Sequence, residues 1–227
     1  MTTIDMDHPD FWKPRRCMRE PIDQIFRAAE LLDKAVEAHL KQNYMDAAEL
    51  IRLADIPAVR AWTESLWGSV KNNPDQEKYH RYRGIPNSPR MIPKAERLHR
   101  RMPSTVTQTE VIARDGRHCV FCGIPVIHPK IRIFLKSQYP NALSWGRQNP
   151  TQHAAFQCMW MQFDHIIPHT RGGSSNSDNV VITCAGCNFG RMENTLDEFG
   201  LIDPRGSNLK NSSWDGLERA RQHRRPK

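Results

Sequence analysis

The 227-residue sequence contains no apolar run of about twenty residues, and no apolar export segment follows Met1. Neither a membrane span nor secretion is therefore expected, and the chain is expected in the cytoplasm. In that reducing compartment the six cysteines are not three disulfides. Neither of the two CxxC pairs sits in a βαβ pattern, which argues against thiol redox chemistry. The first third of the chain, although rich in helical apolar spacing, holds no constellation of catalytic residue types. What the sequence has in excess is positive charge, +8 at neutral pH, which favours a polyanionic partner.

Four of the cysteines stand as Cys119-Val120-Phe121-Cys122 and Cys184-Ala185-Gly186-Cys187. Two such pairs in one intracellular chain have the spacing of a tetrahedral site, with Cys119, Cys122, Cys184 and Cys187 as ligands of a structural Zn2+. Cys17 and Cys158 are left over and are expected as ordinary packed thiols.

The chemistry-bearing stretch runs from Phe163 to Arg191, FDHIIPHTRGGSSNSDNVVITCAGCNFGR. An Asp164-His165 pair closes a short apolar run, a Gly-Gly loop follows, and Asn179 and Asn188 come later at fixed offsets. A phosphodiesterase must deprotonate a water beside a polyanion and offset the charge that builds on phosphate and leaving oxygen. Histidine titrates near neutral pH, so His165 suits the proton transfer. Asp164 and Asn188 offer oxygens to a cation, and uncharged Asn179 suits holding a loop or ring in place. A lone Asp-His before a glycine-rich loop is ordinarily a turn with a satisfied histidine. The two knuckles and two asparagines set that reading aside.

Together these residues resemble an HNH (ββα-metal) endonuclease over roughly residues 105–200. The resemblance implies His165 as general base, Asn179 as the residue that orients it, and Asp164 and Asn188 as ligands of the catalytic divalent cation, which two hard oxygen ligands suggest is Mg2+ or Mn2+. Asn188 stands where the signature has a third histidine, so this is an HNN variant. The implied reaction is hydrolysis of DNA phosphodiesters to 5′-phosphate and 3′-hydroxyl ends. From their positive charge, the candidate nucleic-acid contacts are Arg171, Arg191, Arg221, Arg224 and Arg225. Proteins of this build resemble restriction enzymes, phage-encoded nucleases and nuclease effectors of bacterial anti-phage systems, the last being the setting favoured here. A zinc-stabilised nucleic-acid binder that does not cut is the alternative from another class.

Along the chain, residues 1–73 are expected as an arm (1–20, loosely docked) and a three-helix domain. Its helices run from Pro21 to Asn43, from Asp46 to Ala54, and from Pro57 to a stop at Asn72-Asn73-Pro74. With no chemistry of its own, that domain suits docking a protein partner. Residues 74–103 form a basic, proline-containing linker that either tracks a phosphate backbone or is a solvated connection. Residues 104–202 are the nuclease domain: a helix over Ser104–Arg114, a strand over Met159–Ile167, another over Val180–Thr183 and a helix beginning near Cys187. The segment between Ile124 and Met161 suits either a DNA-contacting insertion or a packed flap. Thr195 and Glu198 form a capping box for a last short helix. Residues 203–227 are a basic tail that grips phosphates or is disordered. The fold class is α+β.

Overall fold

The computed structural model describes residues 13–67, 79, 82–97, 100–205 and 212–226. The expected helix stop at Asn72-Asn73-Pro74 lies outside them, as do His80 and Arg81. Eight α-helices and one two-stranded sheet are found among the described residues.

The first three helices follow the apolar spacing. In α1 (Asp23–Leu40) the residues Ile25, Ala28, Leu32, Ala35, Val36 and His39 recur at three- and four-residue intervals, and all are buried. Asn43 caps α2 (Tyr44–Leu53), its side chain accepting from the Asp46 amide. Pro57 opens α3 (Pro57–Leu66) at a first-turn position, where its missing N–H costs nothing. Ser104 caps α4 (Thr105–Asp115), which stops at Gly116 with a φ of 74°.

The long segment after the first knuckle is packed, not extended toward a ligand. It forms α5 (Pro129–Gln138) and α6 (Ala154–Cys158). Ile124, Ile127, Ile131, Leu135, Leu143 and Phe156 are buried in it. Arg132 lies 3.6 Å above the Trp145 ring, a cation–π contact inside the fold.

Strands β1 (Gln162–His165) and β2 (Val180–Thr183) pair antiparallel, with Asp164 opposite Val181 and His165 opposite Val180. Two strands alone are marginal in water, and here the neighbours of β2 support them. Asp115 accepts a hydrogen bond from the Ile182 amide, and the Val120 amide donates to the Ile182 carbonyl. Helix α7 (Ala185–Arg191) follows with Cys184 as its N-cap, and α8 (Leu196–Phe199) carries the expected capping box of Thr195 and Glu198.

The regions expected as a helical domain and a nuclease domain pack against each other. One hydrophobic cluster runs from α1 through β2 and α7 into residues 217–220. Helix α3 lies on α6 and α7, and a Cβ added at Gly186 would meet Leu66 and Trp62 at 3.0 and 3.1 Å. At Gly190 it would meet the Leu66 carbonyl at 2.8 Å. Two glycines one turn apart on α7 thus let α3 sit against its backbone. Residues 13–20 are likewise docked: the Arg15 amide donates to the Gly200 carbonyl and the Ile202 amide to the Arg15 carbonyl.

The C-terminal segment is also corrected. Leu217 and Ala220 are fully buried, the Trp214 indole donates to the Val126 carbonyl, and Arg219 pairs with Asp33 at 2.7 Å and Asp215 at 2.8 Å. The His223 carbonyl contacts the His39 ring, and Arg225 lies 5.4 Å over Tyr44. Residues 212–226 are a clamp across α1 and α5. Apolar anchors and matched acids hold them there.

Candidate metal-dependent nuclease site

The four knuckle cysteines converge. Their sulfurs all lie within 4.8 Å of one another, and Cys122 and Cys184 are 3.7 Å apart. A tetrahedron with Zn–S bonds of about 2.3 Å has sulfurs roughly 3.8 Å apart, so the spacing fits zinc. None of the four is in a disulfide. Burial, with hydrogen bonds among the sulfurs, pushes the Cys122 thiol well above its ordinary range; those same hydrogen bonds, then burial, do so for Cys187. Burial opposes ionisation of Cys119 too, but hydrogen bonds from the other three sulfurs outweigh it and hold its pKa well below the usual value. Four buried thiols can all become ligands only if a cation compensates their charge. Since Cys184 caps α7, metal there ties the helix start to the first knuckle. Cys17 and Cys158 are buried, and burial raises both thiols, Cys17 to about 12, so neither is reactive.

A separate cavity of about 650 Å³ opens beside the sheet, lined by Asp164, His165 and Asn188 together with Arg97, Arg101 and His169. Asp164 and His165 alternate along β1, yet at the strand's end both reach this cavity. Asp164 is buried, and its Oδ1 accepts from Arg191 at 2.6 Å. Its Oδ2 is buried with no hydrogen-bond partner. Burial raises the Asp164 pKa despite the Arg191 guanidinium. A buried carboxylate oxygen without a donor is what a hard cation would satisfy. The Asn188 amide group donates to Gln162 Oε1 at 3.3 Å, which leaves its carbonyl oxygen for the same purpose. Asp164 and Asn188 therefore fit a magnesium-like cation.

His165 is buried too, and its pKa is lowered to about 4, first by burial and then by the positive neighbours His169, Arg101 and Arg191. At neutral pH the ring is uncharged, the form a general base requires. The Asn179 side chain makes no hydrogen bond to it. Its Oδ1 accepts from the Ile167 amide, and its Nδ2 donates to the carbonyls of Ile167 and Ser174. It staples the loop that leaves β1. That loop is tight: a Cβ at Gly173 would fall 1.7 Å from the Ile167 carbonyl oxygen, so only glycine fits.

Two expected nucleic-acid contacts are corrected. Arg191 is 1% exposed and donates to Asp164, to the His165 carbonyl and to the Asn194 carbonyl, so it serves the interior. Arg171 is consumed by Glu198 at 3.0 Å and by the Pro89 and Glu193 carbonyls. Arg221 and Arg224 are exposed and Arg225 stacks on Tyr44, but none of the three lines the cavity. The cations that do line it, Arg97 and Arg101, come from the segment expected as a linker. Residues 82–97 and 100–103 form a strap over the loop after β1, with the Ile92 amide donating to the Thr170 carbonyl. Their density of arginine and proline was the only signal.

Residues 155–200 match the family model described as HNH endonuclease. The match holds both strands, α7 and the second knuckle, whereas Cys119 and Cys122 lie before it. Neither the search of curated proteins nor that of solved structures finds a match. No helix among the described residues is long and apolar enough to cross a membrane. Over residues 155–200, where Asp164, His165, Asn179 and Asn188 all stand, the chain is similar to the HNH endonuclease family.

Proposed function

We propose that this chain is a metal-dependent DNA endonuclease. The observation that carries the reading is one cavity wall holding a buried carboxylate with an unpartnered oxygen, an uncharged histidine and an asparagine carbonyl. Asp164 and Asn188 would hold Mg2+ or Mn2+. When bound, that cation supplies positive charge against the charge that builds on phosphate and on the leaving 3′ oxygen. His165 takes a proton from the attacking water as the P–O3′ bond breaks, leaving a 5′-phosphate and a 3′-hydroxyl. Arg97 and Arg101 meet the phosphates flanking the scissile bond. Cys119, Cys122, Cys184 and Cys187 would hold a zinc ion with a structural role.

The anti-phage setting rested on a free helical domain available to a partner. The apolar faces of α1 and α3 are occupied by α2, α6 and α7, which leaves neither face free for a partner. Restriction-type and phage-encoded nucleases use the same chemistry and fit equally. The test is incubation of the protein with supercoiled plasmid and magnesium beside His165→Ala. Relaxed or linear product from wild type alone supports the enzyme, and DNA binding by both without cutting supports a non-cutting binder.

A further inference from the structure

Ser175 was not singled out by the sequence, where it is one of three serines in Gly-Gly-Ser-Ser-Asn-Ser. Its hydroxyl lies 3.0 Å from His165 Nε2, 3.0 Å from the Arg100 carbonyl and 2.9 Å from the Arg101 carbonyl. Carbonyl oxygens only accept, and a serine has one hydrogen to give. If that hydrogen went to His165, two carbonyl oxygens would face the Ser175 oxygen with no proton between them. If it goes to the strap carbonyls, the Ser175 oxygen accepts from Nε2–H and the contacts agree. Among the described residues His165 Nδ1 has no hydrogen-bond partner.

We infer that Ser175 is a positioning residue: held by the strap carbonyls of Arg100 and Arg101, it keeps His165 in the Nε2–H tautomer and leaves Nδ1 as the nitrogen that receives the proton from water. The inference rests on the reading of His165 as the general base. In the step, the Nδ1 lone pair takes the water proton, the water oxygen bonds to phosphorus, and the P–O3′ electron pair leaves with the 3′ oxygen, which solvent protonates. The strap thus does more than carry arginines. Its backbone sets which imidazole nitrogen is bare, as outer partners do for histidines at metal sites. Asn179, by tying Ser174 and Ile167 together, holds the loop that delivers Ser175.

The test uses the full chain labelled with 15N-histidine. Long-range proton–nitrogen correlation reads the tautomer of each ring, and the His165 signal is assigned by its loss in His165→Gln. The expected result is Nε2–H in wild type and a mixture of tautomers in Ser175→Ala. In plasmid cleavage Ser175→Ala should lower kcat roughly 10- to 100-fold with KM unchanged, while Ser175→Thr, which keeps the hydroxyl, retains most of the rate. An Nδ1–H ring in wild type overturns the inference, as does a Ser175→Ala protein that cuts at the wild-type kcat. Should wild type cut no DNA at all, the nuclease reading fails, and the tautomer measurement on that same protein still decides the Ser175 arrangement.

Discussion

The two candidate ligand clusters of this protein differ in almost every physical respect. The four-cysteine cluster is made of soft sulfurs, is largely buried with only Cys122 half-buried, and joins segments more than sixty residues apart, from Cys119 to Cys187. The Asp164–Asn188 cluster is made of hard oxygens, opens into a cavity, and leaves one carboxylate oxygen without a donor. Closure and soft ligands mark a site that holds structure; openness and an unsatisfied oxygen mark one that does chemistry. Losing the first should therefore cost folding, and losing the second should cost rate.

The largest effect follows from the first. Cys122→Ser should remove zinc and unfold the region around α7 and β2, because structural zinc contributes roughly 10 kcal/mol or more to such sites. Loss of near-UV circular dichroism together with loss of zinc is the expected pair. A folded, zinc-free variant would break the contrast.

Next is Asp164, where the two kinds of site overlap. Asp164→Ala should abolish cleavage and also leave Arg191 buried without its acidic partner, so stability should fall by about 3–5 kcal/mol. A double variant Asp164→Ala/Arg191→Met should recover much of that stability in urea melts and none of the activity. Recovery of activity would remove Asp164 from the catalytic site.

Metal choice sharpens the contrast further. Asn188→His replaces a hard oxygen with an imidazole, which suits nickel or cobalt better than magnesium. The ratio of cleavage rates with nickel and magnesium should therefore rise in the variant while zinc content stays constant. An unmoved ratio would mean that Asn188 is not a ligand of the catalytic cation.

How much of this was legible beforehand depended on sequence distance. The Asp164, His165, Asn179 and Asn188 set lies within twenty-five residues and could be read from spacing, as could the helices, whose apolar period is local. The four-cysteine cluster was readable despite its span because CxxC is itself a local signature. The partners of Asp164 and His165 were not readable. Arg191 looked like any surface arginine near a basic site, and only the fold turns it inward. Ser175 gained meaning only when the strap carbonyls from residues 100 and 101 arrived beside it. The docking of α3 on α7 was hidden in the four-residue spacing of Gly186 and Gly190, a pattern with many other uses.

The smallest expected effect separates the basic segments. Arg101→Ala should weaken DNA binding and reduce its salt slope, because Arg101 lines the cavity, whereas Arg224→Ala, on the clamp, should leave the slope nearly unchanged. Equal slopes in titrations over several salt concentrations would return the strap to a simple connection.

The most direct test of two separate metal roles is made on a single sample of wild-type protein. Zinc content and plasmid cleavage are measured before dialysis against EDTA, after it, and after magnesium is restored. The account predicts that one zinc per chain is retained throughout, while cleavage disappears with chelation and returns with magnesium. Cleavage that returns only with zinc, or a protein that never contained zinc, would contradict it.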